Sequence, residues 1–389
     1  MEAQSTTLGR LVVTRPAWLR TSLGVFTVTL SGFVAAGAAL PVLPRFVHGP
    51  LHAGDVEVGL VIGAYSLAAV LVRPLAGRTA DRRGRQPVLL VGALLTAVAG
   101  ALLLAPASLP QTVAARLVQG GGEGLLFTAG SAWIVDLAPH DRQGQAIGLF
   151  GLSVWGGMTV GPLVGDQLLS AAGFHAVWWM MLGVPLIGAV VAWRLPEAWQ
   201  ATANRQRRPW IPRPVVGPGV ALALANAGYA TMAAFVVLHL ARRGVGHGAL
   251  VFAAYAAAVV GSRLLFGHLP DRLGPRASAV LAGLAEAAGL AIIAMASSLP
   301  VALVGGVVMG TGFSLLYPAL ALGVVRAVGE RDRGTALGGF TAFFDIGMGL
   351  GAPLAGGIAS IGGYGAAFWA AAGIGLGAAA IAAYAVPSQ

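Results

Sequence analysis

Long apolar runs alternate with short polar breaks along the whole chain. The runs fall at 20–45, 57–77, 86–106, 110–137, 144–169, 175–195, 215–240, 248–269, 277–297, 300–326, 335–360 and 364–386. Each has the length of a bilayer-crossing helix, which takes roughly 20 apolar residues. Twelve such helices use about 260 residues and leave about 130 for two termini and eleven loops, so a globular domain outside the membrane does not fit. The first run is too long for a signal peptide and no cleavage pattern follows it, so it is expected to stay as a membrane anchor. The pattern predicts an all-α integral membrane protein of twelve transmembrane helices.

Composition agrees. Of 389 residues, 57% are hydrophobic and 10% charged, with a mean hydropathy of +0.80. Soluble domains carry about 25% charged residues, so a soluble enzyme and a disordered chain are both excluded. The net charge of +10 and pI of 11.2 could point to nucleic acid, but the placement argues against it. All 24 basic residues are arginine, set in short clusters between the apolar runs. With the N-terminus inside, 18 arginines lie in inner segments and three (Arg45, Arg242 and Arg243) in outer loops. Positive charge marks the cytoplasmic side, so both termini are expected in the cytoplasm. Cysteine is absent, which excludes disulfides and thiolate metal sites.

The Arg- and Pro-rich stretch 196–214 is expected to be a cytoplasmic linker between two six-helix halves, 1–195 and 215–389. An offset of 190 residues superposes the halves: Arg73 on Arg263, Asp81 on Asp271, Arg82 on Arg272, Gly84 on Gly274, Pro110 on Pro300, Gly157 on Gly347 and Gly161 on Gly351. Glycine matches are cheap in this composition, whereas Arg, Asp and Pro matches at one unbroken offset are not. Parallel repeats related by an axis along the membrane normal are the architecture of rocking transporters.

Four segments carry candidate chemistry. The loop between spans 2 and 3 contains Gly77, Asp81, Arg82, Arg83, Gly84 and Arg85. Here glycine permits a sharp turn, Asp can face a helix N-terminus and arginines can pair with acids on neighbouring helices. Span 4 holds Arg116, Gln119 and Glu123 at i, i+3 and i+7, hence on one helical face. Counted from Pro110, Arg116 lies about 9 Å deep and Glu123 about 20 Å, where a charge faces a cavity or a partner. A brace of Arg116 on Glu123 is the purely structural alternative. The glycines flanking Glu123, Gly122 and Gly124, are expected to leave room for a solute. Span 5 carries Gly157, Gly161 and Pro162, a small-residue seam beside a helix-bending proline. Asp345 in span 11 and Arg73 in span 2 lie at similar depth. Glu286 in span 9 is expected to pair structurally with Arg263.

The span 2–3 loop is similar to the G-x-x-x-D-R-x-G-R signature of the major facilitator superfamily, with a weaker copy at Asp271 and Arg272 broken by Pro270 and Pro275. Span 4 resembles the family's R-x-x-Q-G pattern, and span 5 the G-x-x-x-G-P-x-x-G pattern of its antiporter branch. The stretch 310–357 resembles a bacterial subfamily labelled arabinose-efflux-type permeases. The resemblance covers the whole chain and implies a proton-coupled exporter of a small organic compound, drug or metabolite, working by alternating access. It implies gating by Arg73, Gly77, Asp81, Arg82, Gly84, Arg85, Gly157, Gly161, Pro162, Asp271 and Arg272. It implies proton coupling by Glu123, Asp345 and Arg116, a contact of Arg73 with Asp345 because spans 2 and 11 face each other in the family, and a place in the bacterial inner membrane. The solute is expected to be lined by Arg116, Gln119, Glu123, Asn226, Tyr229, Thr311, Ser314 and Tyr317. Buried acids and aromatic faces (Trp133, Trp155, Phe340 and Phe344 are further candidates) would suit an amphiphilic or cationic solute. Proton-coupled uptake is the alternative within transport; a membrane-embedded enzyme or a non-transporting sensor are those outside it. No Walker motif, metal-ligand spacing or nucleophile–base pair occurs, so no cofactor, no metal, no catalytic residue and no nucleic-acid partner are expected. The expected partners are a small solute, protons and the lipid bilayer around a monomer.

The arginine bias makes one prediction. In this cysteine-free chain, a single cysteine replacing Asn204 should resist membrane-impermeant maleimide in intact cells and react after permeabilisation. Labelling from outside would invert the topology.

Overall fold

The computed structural model describes residues 15–105, 108–138, 143–197, 213–266, 268–328 and 333–386. Arg205, Arg207, Arg208 and Asn204 of the linker lie outside the described residues, while Arg213 begins a helix. Those described are almost wholly helical: α1 (Arg15–His48), α2 (Asp55–Arg83), α3 (Arg85–Leu104), α4 (Leu109–Leu137), α5 (Gln143–Trp193), α6 (Arg213–Arg242), α7 (Ala249–Phe266), α8 (Leu269–Leu273), α9 (Pro275–Met295), α10 (Leu299–Ala327) and α11 (Arg333–Ala385).

Two of these helices are double. Gly173 breaks α5 at φ 77°, and Gly363 breaks α11 at φ 76°. A side chain resists this left-handed region, so glycine sets both turns. The ten long helices among the described residues therefore supply twelve helical segments. Among the described residues, nine helices are long and apolar enough to cross a membrane by length and composition. Helix α4 is not one of them, because Gln119 and Glu123 interrupt its apolar sequence.

The 190-residue repeat is built into the backbone. Gly84 and Gly274 both turn at positive φ, 97° and 81°, and Ser108 and Ser298 cap α4 and α10 at the same φ of −147°. A Cβ on Gly120 would meet the Tyr65 carbonyl carbon at 2.6 Å; on Gly310 it would meet that of Tyr255 at 3.1 Å. Likewise Gly122 lies against Thr96, and Gly312 against Glu286. The antiporter-like seam repeats too. Gly161 packs α5 on Gly37 of α1, and Gly351 packs α11 on Ala227 of α6. The repeat fails after span 8. Helix α2 runs unbroken to Arg83, whereas α7 stops at Phe266 and α8 starts afresh with Pro270 in its first turn. Proline cannot continue a helix interior but suits a first turn.

The apolar core shows how the halves meet. At the end carrying Asp55 and Tyr364 one cluster joins both, including Val42, Phe46, Val58 and Ile62 with Phe235, Leu240, Phe252 and Phe368. At the arginine-rich end the cores are separate. Val25, Ala80, Leu89 and Phe150 belong to the first half, and Val215, Leu320, Phe340 and Val386 to the second. The halves thus close at one end and part at the other, leaving a cleft that opens toward the arginine-rich loops.

The closed end is held by backbone contact and by one polar cluster. A Cβ on Gly59 of α2 would lie 2.7 Å from Pro353 Cα and 2.8 Å from the Ala352 carbonyl carbon of α11. Nearby, Tyr364 donates to Asp55 Oδ1 at 2.9 Å, and His48 Nε2 lies 2.9 Å from the same oxygen. Arg242 sits 4.3 Å over the Tyr364 ring.

A side chain at Gly59 would force α2 off α11. Gly59→Val is therefore expected to open the closed end. A lone cysteine at Ile62, which is 1% exposed, should become reactive to impermeant maleimide in the Gly59→Val background and stay unreactive otherwise. Equal protection in both would show that this contact does not close the cleft.

Candidate functional site

The polar face of α4 projects to the closed end of the cleft. Arg116, Gln119 and Glu123 are buried, at 2%, 0% and 2% exposure. The Arg116 guanidinium donates to the Val61 carbonyl of α2 at 3.2 Å and to Gln119 Oε1, and lies 4.6 Å over the Tyr65 ring. Tyr65 in turn donates its hydroxyl to Glu123 Oε2. Arg116 and Glu123 are therefore linked through Tyr65, Gln119 bonds Arg116 alone, and the direct brace is not formed. Glu123 Oε1 and Gln119 Nε2 have no hydrogen-bond partner. A buried polar atom without a partner is costly, so Glu123 Oε1 is free to accept a proton or a hydrogen bond, and Gln119 Nε2 to donate one to a water or a solute.

The glycines around Glu123 serve packing. A Cβ on Gly122 would meet Gly92 O at 2.8 Å and Thr96 N at 2.9 Å on α3; on Gly124 it would meet Ala69 of α2 at 3.4 Å. They bring helices together, and the expectation that they leave space for a solute is corrected.

The second half faces this polar set with aromatic rings. Tyr229 of α6 stacks on Tyr255 of α7, centroids 5.1 Å apart and 29° between planes. Phe313 of α10 lies 5.8 Å from Tyr255, and Phe344 of α11 lies 6.1 Å from Phe313. Trp155 crosses from α5 of the first half to Phe313 at 5.5 Å and Tyr255 at 6.1 Å. Tyr229 lies within electrostatic range of Glu123 and Arg116, which joins the two walls. Asn226, one turn earlier on α6, donates to Leu222 O at 2.9 Å and leaves Oδ1 without a partner.

The other expected lining residues engage neighbours. Thr311 accepts from Ser262 at 3.0 Å, and Ser314 donates to Val259 O at 2.8 Å, so both tie α10 to α7. Tyr317 shares a 3.1 Å hydrogen bond with Thr341 of α11. Phe340 packs on Tyr317, and Trp133 is buried in the first half's own cluster.

Arg73 and Asp345 meet across the halves. Nε lies 2.6 Å from Oδ2 and Nη2 donates to Oδ1 at 3.1 Å, with Phe127 4.6 Å beneath the guanidinium. The pair thus combines one charge-assisted hydrogen bond with a close ion contact. The expected Glu286–Arg263 pair is absent. Both Glu286 oxygens are buried without a partner, as is Arg263 Nε. Glu286 instead faces Gly228 of α6, a neighbour its depth alone did not reveal.

The span 2–3 loop works within one half. Arg85 bridges Asp81 at 2.7 Å and Asp136 at the end of α4 at 3.1 Å. Gly84 lies against Glu197, which accepts from the Gln86 amide at 2.6 Å. Gly77 approaches Thr128 of α4, while Arg82 and Arg272 are exposed. The Asp271 side chain lies outside what the structure describes. Gly157, Gly161 and Pro162 form a seam with α1 at Phe33, Gly37 and Ala38.

Sequence reasoning missed Tyr65 and Tyr255. The signal was present, since the two tyrosines are 190 residues apart and occupy the same place in the repeat.

This combination of helical repeats, cleft and buried charge belongs to membrane transporters. The sequence profile described as Major Facilitator Superfamily matches residues 23–250 and 221–389, and the chain belongs to that family. An uncharacterised MFS-type transporter of Salmonella typhimurium is 31% identical over 376 residues, covering 93% of this chain and 96% of the relative. One from Burkholderia mallei is 31% identical over 358 residues, 90% of this chain and 88% of the relative. Among solved structures, a mutant of the nucleoside transporter NupG superposes with TM-score 0.80 at 14% identity, over 94% of this chain and 99% of that one. The human organic anion transporter MFSD10 superposes with TM-score 0.71 at 20% identity, with the same coverage. A bacterial homologue of the lysosomal transporter Spinster, inward-facing and unoccupied, gives 0.73 at 16% over 96% of both chains. The protein is thus a multi-pass membrane transporter of the major facilitator fold.

The Arg73–Asp345 pair gives a double-mutant test. Losing one partner leaves a buried charge alone, at a cost of about 3 kcal/mol. Arg73→Leu with Asp345→Leu should therefore destabilise less than either single change, read as melting temperature in detergent. Additive losses would mean that the two residues are not coupled.

Proposed function

We propose that the protein moves a small organic solute through the cleft in exchange for protons carried at Glu123, exporting it across a bacterial cytoplasmic membrane. The observation that carries this reading is the state of Glu123. It is an acid buried at the closed end of the cleft, with one oxygen held by Tyr65 and the other free. An intramembrane acid that faces a cavity is suited to load and release a proton. The resemblance of the Gly157, Gly161 and Pro162 seam to the antiporter branch supports exchange.

With the arginine-rich loops inside, the cleft faces the cytoplasm. Alternating access then requires the α2–α11 contact to open and the arginine-rich ends to meet. Asp81 and Arg85, now bound within the first half, would face the second half in that state. Asp345, held by Arg73, is the second candidate for the proton.

One observation favours a second reading, proton-coupled uptake. Once Arg73 and Asp345 have paired, Arg116 and Arg263 remain without a carboxylate partner among the described residues. A lining with surplus positive charge would take an anion together with a proton.

Glu123→Gln keeps the shape of the side chain and removes its charge. In proteoliposomes it should still exchange solute across equal solute gradients but lose the acceleration that a pH gradient gives the wild type. Gradient-driven transport at the wild-type rate in Glu123→Gln would exclude Glu123 as the coupling acid. In the wild type, accumulation against the proton gradient supports exchange, and accumulation with it supports uptake.

A further inference from the structure

We propose that Arg263 is the anion-binding point of the solute site, and that the transported solute carries a carboxylate or phosphate group. The proposal rests on the cleft being the solute's path, and does not depend on Glu123 carrying the proton.

The argument comes from a broken symmetry. Arg73 and Arg263 are repeat partners, on α2 and α7, at equal distance from the turns at Gly84 and Gly274. Arg73 is neutralised by Asp345 of α11. The repeat places residue 155 of α5 opposite Arg263, and that residue is Trp155. The first cross-half arginine has its counter-ion built in, and the second does not.

Geometry keeps Arg263 in the cleft. The side chains of its sequence neighbours Leu264 and Leu265 are 75% and 67% exposed on the outer surface of the bundle. Arg263 is half-buried and turned the other way, toward the first half. Its Nη1 is 3.7 Å from where a Cβ on Gly151 of α5 would stand, and among the described residues it is the one atom of another helix within 4 Å of that point. Its Nε is buried without a hydrogen-bond partner. Tyr317 lies in electrostatic range from α10. One turn beyond Gly151 on α5, Trp155 begins the aromatic wall of Tyr255 and Phe313.

An unpaired guanidinium offers a fork of donors matched to carboxylate and phosphate. Here the fork lies on α7, about two turns from Tyr255 of the aromatic wall. That combination fits an aromatic or otherwise apolar body with an anionic head, in place of the cationic solute suggested by the buried acids. The same chemistry could come from a lipid phosphate entering from the membrane.

The full chain in phosphatidylcholine nanodiscs tests this with benzoate, phenyl phosphate and neutral benzamide, at matched ionic strength. Benzoate and phenyl phosphate should raise the melting temperature of the wild type, and benzamide should not. Arg263→Gln should weaken the half-saturating concentration about tenfold or more. Arg263→Lys should retain part of the effect, and the exposed Arg326→Gln should match the wild type. Gly151→Asp gives a second route if Arg263→Gln folds poorly. It supplies the missing counter-ion, so it should abolish the response to both anions, while Gly151→Asn keeps it. The proposal fails if neither anion stabilises the wild type, if benzamide acts as benzoate does, or if Arg263→Gln and Gly151→Asp respond undiminished. It also fails if phosphatidylglycerol nanodiscs stabilise the wild type through Arg263 while benzoate has no effect. In that case the guanidinium holds a lipid headgroup. Because no proton gradient enters these measurements, their failure is separate from failure of Glu123 as coupling acid.

Discussion

The close approach of α2 to α11 at Gly59 and Gly63 is the constraint on which the rest of the structure depends. Lipid supplies no hydrophobic drive between helices, so association in a membrane relies on tight packing of small residues. At these two positions the backbones touch. The contact fixes the angle between the halves and so sets where the cleft closes and where it opens. It also brings Arg73 within reach of Asp345, since both lie further along the same two helices. The pair then serves as a polar stop at the point where the halves begin to separate.

Within that frame, the two halves share a backbone and divide the chemistry. Gly120 and Gly310 press on the carbonyls of Tyr65 and Tyr255, and the two tyrosines occupy matching places. Yet Tyr65 donates to an acid and Tyr255 stacks on a ring. The repeat position of Glu123 is Phe313, and that of Asp345 is Trp155. At these matching positions the halves exchange charge for aromatic rings, Glu123 against Phe313 and Asp345 against Trp155. A symmetric scaffold can rock, while an asymmetric lining can select a solute with a polar end and an apolar body.

Buried atoms without partners mark where the lining is incomplete. Glu123 Oε1, Gln119 Nε2, Asn226 Oδ1 and Arg263 Nε all lack a hydrogen bond. The first two lie on α4, and the others lie on α6 and α7 of the opposite half. In a low-dielectric interior such groups are expensive unless something binds them. Both Glu286 oxygens also lack partners, enclosed among α6, α9 and α10 and within electrostatic range of Tyr255.

Much of the architecture was legible in the sequence, because hydrophobic length and repeat spacing are local properties. Apolar runs near twenty residues dictate helices in a bilayer, and a constant offset of 190 residues dictates matching turns, as Gly173 and Gly363 show. The i, i+3, i+7 spacing put Arg116, Gln119 and Glu123 on one face before any coordinates. What the sequence could not decide was which faces meet. Glu286 and Arg263 have compatible charge and depth, but helix rotation points them at different neighbours. Tyr65 looked like an ordinary span residue until α2 was packed against α4, which set its hydroxyl on Glu123 and its ring under Arg116. The tilt between halves also lies beyond local pattern. It follows from a few backbone contacts between residues nearly three hundred positions apart, and only the tertiary structure brings those together.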